Sequence, residues 1–379
     1  MKIIKQKPID KVKKQLKILL NLLNPIKIKE RHLLLKRIED SFQNLDLPGS
    51  FSTEKEEWRK MFVDMSNCIP PLKSLDNLLQ GFAIERIELI KEAVTKDVFN
   101  APVVICTQKD NYVYLKEFLP YYRSLGVKHF VFIDNNSTDM SFDYLKAQDD
   151  VTLFSAPYAF QGTKKAGWKL QALSYIGLNH WYLWLDSDEF ITYPRMEEIK
   201  LPEYIKRLES KKIFNVGGFM LDMYPEYNLF DSTKSNENFY SDYRYFDPDN
   251  NYYIVKNGRL FGGMRKRCLG VNLRLDKTPL IYCKSGNIPR GNHATFPITE
   301  HPEENFGCIL KHYKFLPSDK EKYKMIAKGD SGYLSVKSLQ KYLDLDSISI
   351  KNKDSKEFQD SKSLSFFPYI KDLVEEKPF

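Results

Sequence analysis

Short, continuous apolar runs alternate with helix-periodic stretches from Pro102 onward, and that alternation sets the expected fold. Val103-Val-Ile-Cys-Thr107 reads as a strand covered on both faces. Tyr112 to Leu125 follows at helical spacing, with Gly126 as its C-cap. Lys128-His-Phe-Val-Phe-Ile133 predicts a second buried strand, Ser141 to Gln148 a helix, and Val151 to Ser155 a third strand. Lys164 to Leu178 is a further helix, leading into the strand Trp181-Tyr-Leu-Trp-Leu185. Strand and helix thus alternate at βαβ spacing, which predicts an α/β fold with a mostly parallel sheet flanked by helices. Ligands on such sheets bind at the carboxyl ends of the strands, and Thr107, Asp134 and Asp186 all fall on that edge.

After Ile191 the pattern loosens. Ile213 to Met220 predicts a strand leading to Asp222, and residues 225–250, rich in Asn, Asp, Tyr and Pro, read as a loop over a site. Residues 1–99 read as a helical region, with Leu72 to Leu79 and Ile84 to Val94 both at helical spacing. Within it, Val12, Leu16, Leu19, Leu20 and Leu23 share one helical face opposite Lys13, Lys14 and Lys17, and Pro25 ends the pattern. Such a helix lies in an anionic membrane interface or packs on its own domain or a partner. No apolar run reaches the ~18 residues of a spanning helix. The expected organisation is a helical region 1–99, an α/β domain 100–327, and a tail 328–379 of short helices or partial disorder.

Composition narrows the class. Hydrophobic residues at 42% and aromatics at 14% describe a globular chain. Its five cysteines are scattered without a CxxC pair, which argues against a zinc knuckle or disulfide framework and for a reducing, cytoplasmic setting. The net charge of +8 is crowded towards the N-terminus, suiting an anionic surface there. No aromatic-basic nucleic-acid module accompanies it, so no nucleic-acid partner is expected.

The apolar strand at Leu185 ends in Asp186-Ser187-Asp188-Glu189. Residues two apart in extended backbone point to one side, so Asp186 and Asp188 can converge while Ser187 turns away. Hard oxygen ligands on an open strand end suit Mg²⁺ or Mn²⁺. The plainer alternative is an acidic turn or helix N-cap.

Three motifs occur in order: Ile105-Cys-Thr-Gln-Lys-Asp-Asn111, Ile133-Asp-Asn-Asn-Ser-Thr-Asp139, and Leu185-Asp-Ser-Asp-Glu-Phe190. Together, over roughly residues 100 to 320, the chain resembles the family 2-like glycosyltransferases of GT-A fold, in the branch related to family 92. The resemblance implies a Rossmann-like GT-A domain that transfers a sugar from a nucleotide sugar, UDP-sugars foremost, to a saccharide or glycolipid acceptor. The setting it implies is the inner face of a bacterial membrane, in capsule or lipopolysaccharide synthesis. Carried over by position, Thr107 and Asp134 contact the nucleotide; without the other motifs Asp134 reads as an Asx-turn closing the strand. Asp186 and Asp188 form the metal-binding DxD element.

Lys164, Lys165 and Lys169 lie on the helix before the DxD strand, and Lys165 is assigned to the donor. Gly262-Gly-Met-Arg-Lys-Arg267 matches a basic element whose Arg265 and Arg267 would clamp diphosphate. His293, in Gly291-Asn-His293, is a donor-site candidate; His312, in His312-Tyr-Lys-Phe315, is expected to be structural. An inverting transfer needs a general base; inverting relatives imply Asp222, with Glu189 and Glu226 as rivals. A nucleotidyltransferase would instead show a Gly-rich phosphate loop after the first strand, where Thr107-Gln-Lys-Asp-Asn111 has no glycine. A non-catalytic carbohydrate-binding protein is the third reading.

Overall fold

The computed structural model describes residues 25–67, 72–94, 100–229, 231, 233–255, 259–291, 293–297, 306–321, 324 and 349–375. The amphipathic segment around Val12 to Leu23 and tail residues 328–348 lie outside the described residues.

Helices α1 (Pro25–Gln43), α2 (Phe51–Asn67) and α3 (Leu72–Leu79) come first, and a π-helical turn, Gln80–Ile84, continues α3. Then follow β1 (Glu88–Lys91), β2 (Val103–Gln108), α4 (Tyr112–Ser124), β3 (His129–Asp134), α5 (Ser141–Lys146) and β4 (Val151–Ser155). Next come α6 (Gly162–Ile176), β5 (His180–Asp186), β6 (Glu189–Thr192), α7 (Leu201–Ser210) and β7 (Asn215–Met223). The remaining elements are α8 (Phe239–Asp242), β8 (Tyr245–Phe246), β9 (Tyr252–Val255), β10 (Arg259–Gly262), α9 (Gly263–Leu269) and β11 (Asp276–Cys283). β12 (Ile288–Gly291), β13 (Ala294–Phe296), β14 (Cys308–Tyr313) and β15 (Lys356–Glu357) complete the described strands.

Nine strands form one sheet in the order β1-β4-β3-β2-β5-β11-β7-β14-β6. β4, β3, β2 and β5 are parallel neighbours, β11 runs against β5 and β7, and β14 runs with β7. Most strands therefore point one way, with β1, β11 and β6 reversed. This is the mostly parallel, helix-flanked α/β architecture expected, consistent with a Rossmann-like GT-A fold.

The continuous apolar runs reflect burial on both faces. Val103 and Ile105 join a core layer with α1, α2, α3 and α6, while Val104 and Cys106 join the opposite layer with α4 and α7. α1 presents Leu34, Ile38 and Phe42 at four-residue spacing. Phe82 lies between the helices, stacked on Trp58 with ring centroids 5.1 Å apart.

One sequence expectation changes. Ile84 to Val94 is not a helix: Glu85 leaves the helical region at φ −82°, ψ 92°, and β1 then pairs antiparallel with β4. The buried Glu85 carboxylate takes Lys164 Nζ at 2.6 Å and Trp168 Nε1 at 2.9 Å, drawing the chain away from helix continuation. The described end of the tail, residues 349–375, packs on the sheet domain through buried Ile350, Leu364, Phe367, Tyr369 and Val374. Among the described residues no helix is long and apolar enough to cross a membrane.

Candidate active site at the carboxyl edge

Side chains from β2, β5, β6, β7, β11 and β14 gather where the parallel strands end. Asp186 closes β5, opposite Thr107 of β2 in the parallel register. Across β7, β14 and β6, residues Asp222, His312 and Glu189 stand in one row, since His312 pairs with Asp222 on one side and Glu189 on the other. Tyr313 N–H donates to the Asp188 carbonyl at 2.9 Å, fastening the β5–β6 turn to β14. Ser187 turns away, its hydroxyl 2.9 Å from the Asn111 side chain.

The two aspartates of the DxD element face different partners. Asp186 Oδ1 accepts from Lys165 Nζ at 2.6 Å and lies 3.4 Å from Lys169 Nζ, while Oδ2 is 3.7 Å from Lys277 Nζ. Burial pushes the Asp186 carboxyl up, but these three ammoniums outweigh it and hold the group well below the usual carboxylate range. Lys169 is fully buried; burial draws its ammonium down to about 8 despite Asp186, and its Nζ donates to the Leu185 carbonyl at 2.5 Å.

Asp188 looks the other way. Its Oδ2 is 3.6 Å from His312 Nε2 and 3.7 Å from Lys314 Nζ, with a fifth of the side chain exposed. Burial raises its carboxyl, and Lys314 and His312 overcome that effect. Asp188, Glu189 and His312 bring donor atoms within 4.8 Å of one another, a group fit to hold a divalent metal. Asp186 does not belong to that group; its carboxylate is turned to Lys165, Lys169 and Lys277. Glu189 is also engaged internally: it pairs with Lys277 and accepts from Asp186 N–H at 3.1 Å.

Asp222 is not at an open strand end as the sequence suggested; it lies within β7, 2% exposed. Its Oδ2 accepts from Arg265 Nε at 2.7 Å and its Oδ1 is 2.7 Å from His312 Nδ1. Burial raises this carboxyl too, but Arg265 and His312 hold it far below the usual range. A buried carboxylate so engaged is a poor general base. Arg265 owes its position to Gly262 and Gly263, at φ 120° and 71°, where a Cβ on Gly262 would meet the Asn251 carbonyl oxygen at 2.2 Å.

Several assigned residues lie elsewhere or are occupied. Arg267, expected at a diphosphate, grips Asp247 at 2.7 and 2.8 Å and donates to the Ile350 carbonyl, anchoring the tail. Glu226, the exposed rival base, is paired with Lys351. His293 places Nδ1 2.8 Å from the Asp276 carbonyl, and burial, aided by neighbouring Lys277, pulls it down to about 4, so it is neutral. Asp110, at φ 51°, braces the β3 loop by accepting from Thr138 N–H at 2.6 Å.

Asp134 has both oxygens engaged: Oδ2 accepts from Ser137 N–H at 3.0 Å, and Oδ1 meets Ser137 Oγ at 2.5 Å and the Gln108 amide. These bonds close the loop after β3, the one from Ser137 N–H reaching three residues on rather than the two of an Asx-turn. Asp134→Asn is therefore expected to lower stability by roughly 1 kcal/mol while leaving nucleotide affinity unchanged. Thermal melts beside nucleotide titrations check this; selective loss of nucleotide affinity would restore the contact role.

Thr107 is different. Its hydroxyl is buried and has no hydrogen-bond partner among the described residues. An unsatisfied buried hydroxyl is unfavourable, so Thr107→Val, which keeps the shape, is expected to stabilise the free protein by about 1 kcal/mol. Urea denaturation measures it, and a loss of stability would show that the hydroxyl is bonded after all.

The sequence did not point to Lys277, nor to the contact of His312 with Asp222 and Asp188. No local period reveals either, because β11 and β14 enter the sheet from distant segments.

No protein-family model matches the chain, and no curated protein matches it. Among solved structures it is similar to the crystal structure of S. aureus TarS 1–349, at 13% identity, covering 60% of this chain and 64% of that one, with a TM-score of 0.29. It is also similar to the crystal structure of HddC from Yersinia pseudotuberculosis, at 14% identity, covering 59% and 97% respectively, with a TM-score of 0.26. The chain thus spans under two thirds of the TarS structure's length. At TM-scores this low, neither likeness bears on function.

Proposed function

We propose that the chain is a divalent-metal-dependent glycosyltransferase that takes a nucleotide sugar at the carboxyl edge of its sheet and passes the sugar to a saccharide or glycolipid. The observation that carries this reading is the Asp188–Glu189–His312 group set beside a cluster of lysines where the parallel strands end.

Charge supports it. Lys165, Lys169, Lys277, Lys314 and Arg265 face Asp186, Asp188, Glu189 and Asp222, leaving one net positive charge before His312 is considered. A divalent ion raises that excess to about the charge of a departing nucleoside diphosphate, so the site suits the products of donor cleavage better than neutral ligands. Asp188 and His312 would hold the ion, which supplies Lewis acidity toward the departing diphosphate. Lys165 and Lys314, whose side chains are 11% and 30% exposed, are the ammoniums at the lip that a phosphate reaches first. Asp186 keeps the buried lysines in register behind them.

A nucleotidyltransferase remains the rival reading, favoured by the same lysines, which suit pyrophosphate. The turn after β2, Thr107–Asn111, has no glycine, unlike the phosphate loop of a nucleotidyltransferase, and this supports sugar transfer. Incubating the protein with a panel of nucleotide sugars and Mn²⁺, UDP-sugars first, is expected to release nucleoside diphosphate, and EDTA to stop it. Pyrophosphate release from a nucleoside triphosphate and a sugar phosphate, with no turnover of nucleotide sugars, would establish the rival instead.

A further inference from the structure

The Asp222 carboxylate lies behind His312 rather than in the open part of the site, and its two oxygens have unequal partners. Arg265 carries only donors, so Asp222 Oδ2, 2.7 Å from Arg265 Nε, must accept. Asp222 Oδ1 stands 2.7 Å from His312 Nδ1, and both side chains are 2% exposed. A carboxylate accepts only, so His312 Nδ1 carries the proton, and in the neutral ring Nε2 carries the lone pair. That Nε2 faces Asp188, 3.6 Å from Oδ2.

We infer that Asp222 is a positioning residue that locks His312 in the Nδ1–H tautomer, with Arg265 holding Asp222, so that His312 offers an unprotonated Nε2 to a cation shared with Asp188. The inference rests on the proposed metal site. Histidine ligands commonly donate their other N–H to a carboxylate, which fixes tautomer and ring orientation. Register supports the assignment: adjacent positions on β7 and β14 hold Asp222 and His312, so two paired strands fix the contact. Arg265 reaches the pair from α9, whose start is fixed by Gly262 and Gly263, so the alignment does not depend on one flexible side chain.

Asp222→Asn tests this sharply. Arg265 Nε must still find an acceptor, so it claims the amide oxygen, and the amide NH₂ then faces His312 Nδ1. The imidazole can accept from that NH₂ only by moving its proton to Nε2. The shape is kept, and the lone pair aimed at Asp188 is lost.

The experiment is long-range ¹H–¹⁵N NMR of metal-free, ¹⁵N-histidine-labelled full chain at neutral pH, paired with Mn²⁺ titration followed by electron paramagnetic resonance. With six histidines in the chain, His312→Gln identifies the His312 signals by their disappearance. The wild type is expected to show the Nδ1–H tautomer, and Asp222→Asn the Nε2–H tautomer with Mn²⁺ affinity lowered about 10–100-fold. A wild-type His312 that is Nε2–H, or that carries protons on both nitrogens, overturns the inference without any variant, so it stays testable even if Asp222→Asn does not fold. Equal Mn²⁺ affinity in wild type and Asp222→Asn overturns it while leaving the metal site standing. Wild-type protein that takes up no Mn²⁺ overturns the metal site itself, and this role with it.

Discussion

Asp188→Ala is expected to abolish chelator-sensitive turnover of the nucleotide sugar while the protein keeps its wild-type melting transition. The side chain is a fifth exposed, and its partners, His312 and Lys314, stand at 3.6 and 3.7 Å, so little packing is lost. What is lost is the accessible carboxylate of the metal-compatible group. Electrostatic stabilisation of a departing diphosphate is worth several kcal/mol, so the rate should fall by roughly 10³-fold or more. Initial rates with and without EDTA measure it. A variant that keeps most of its EDTA-sensitive rate would mean that the cation, or the donor, sits elsewhere.

Asp186→Ala should behave in another way, although the two residues belong to one short motif. Removing Asp186 leaves Lys165 and the fully buried Lys169 without their shared carboxylate, and Lys277 with Glu189 alone. Breaking a buried ion pair by deleting one partner costs about 3–5 kcal/mol, and the partial exposure of Asp186 places this case near the lower figure. The variant is therefore expected to lose stability first and activity as a consequence, read by urea denaturation alongside turnover. Wild-type stability with selective loss of metal binding would restore Asp186 as a ligand. The contrast between the two variants separates a residue that touches the cation from one that organises the cations around it.

The parts of the fold legible in the sequence were those buried on both faces. β2, β3, β4 and β5 are short apolar runs because helices cover each side, and their carboxyl ends mark the site edge directly. β1 was not legible: it is a half-exposed edge strand, and Ile84, Ile87 and Ile90 fall at a spacing that imitates a helix. The packing of residues 349–375 left no period in the sequence, because Ile350, Leu364, Phe367 and Tyr369 are irregularly spaced.

At the site, Asp186 and Asp188 could be found from the strand that delivers them, but their division of labour could not. That division depends on β11 bringing Lys277 beside β5, and on β14 inserting His312 between Asp222 and Glu189. Asp222 looked like a base because it sits near the end of an apolar strand. Arg265 and His312, which occupy it, come from other elements that strand patterning does not connect.

The most direct test of the account is anomalous diffraction from crystals grown with Mn²⁺ and UDP. One strong manganese peak is expected, bonded to the Asp188 carboxylate and His312 Nε2, with the diphosphate beside it and Lys165 and Lys314 turned towards its oxygens. A manganese peak on Asp186, or a diphosphate bound away from this edge of the sheet, would contradict it.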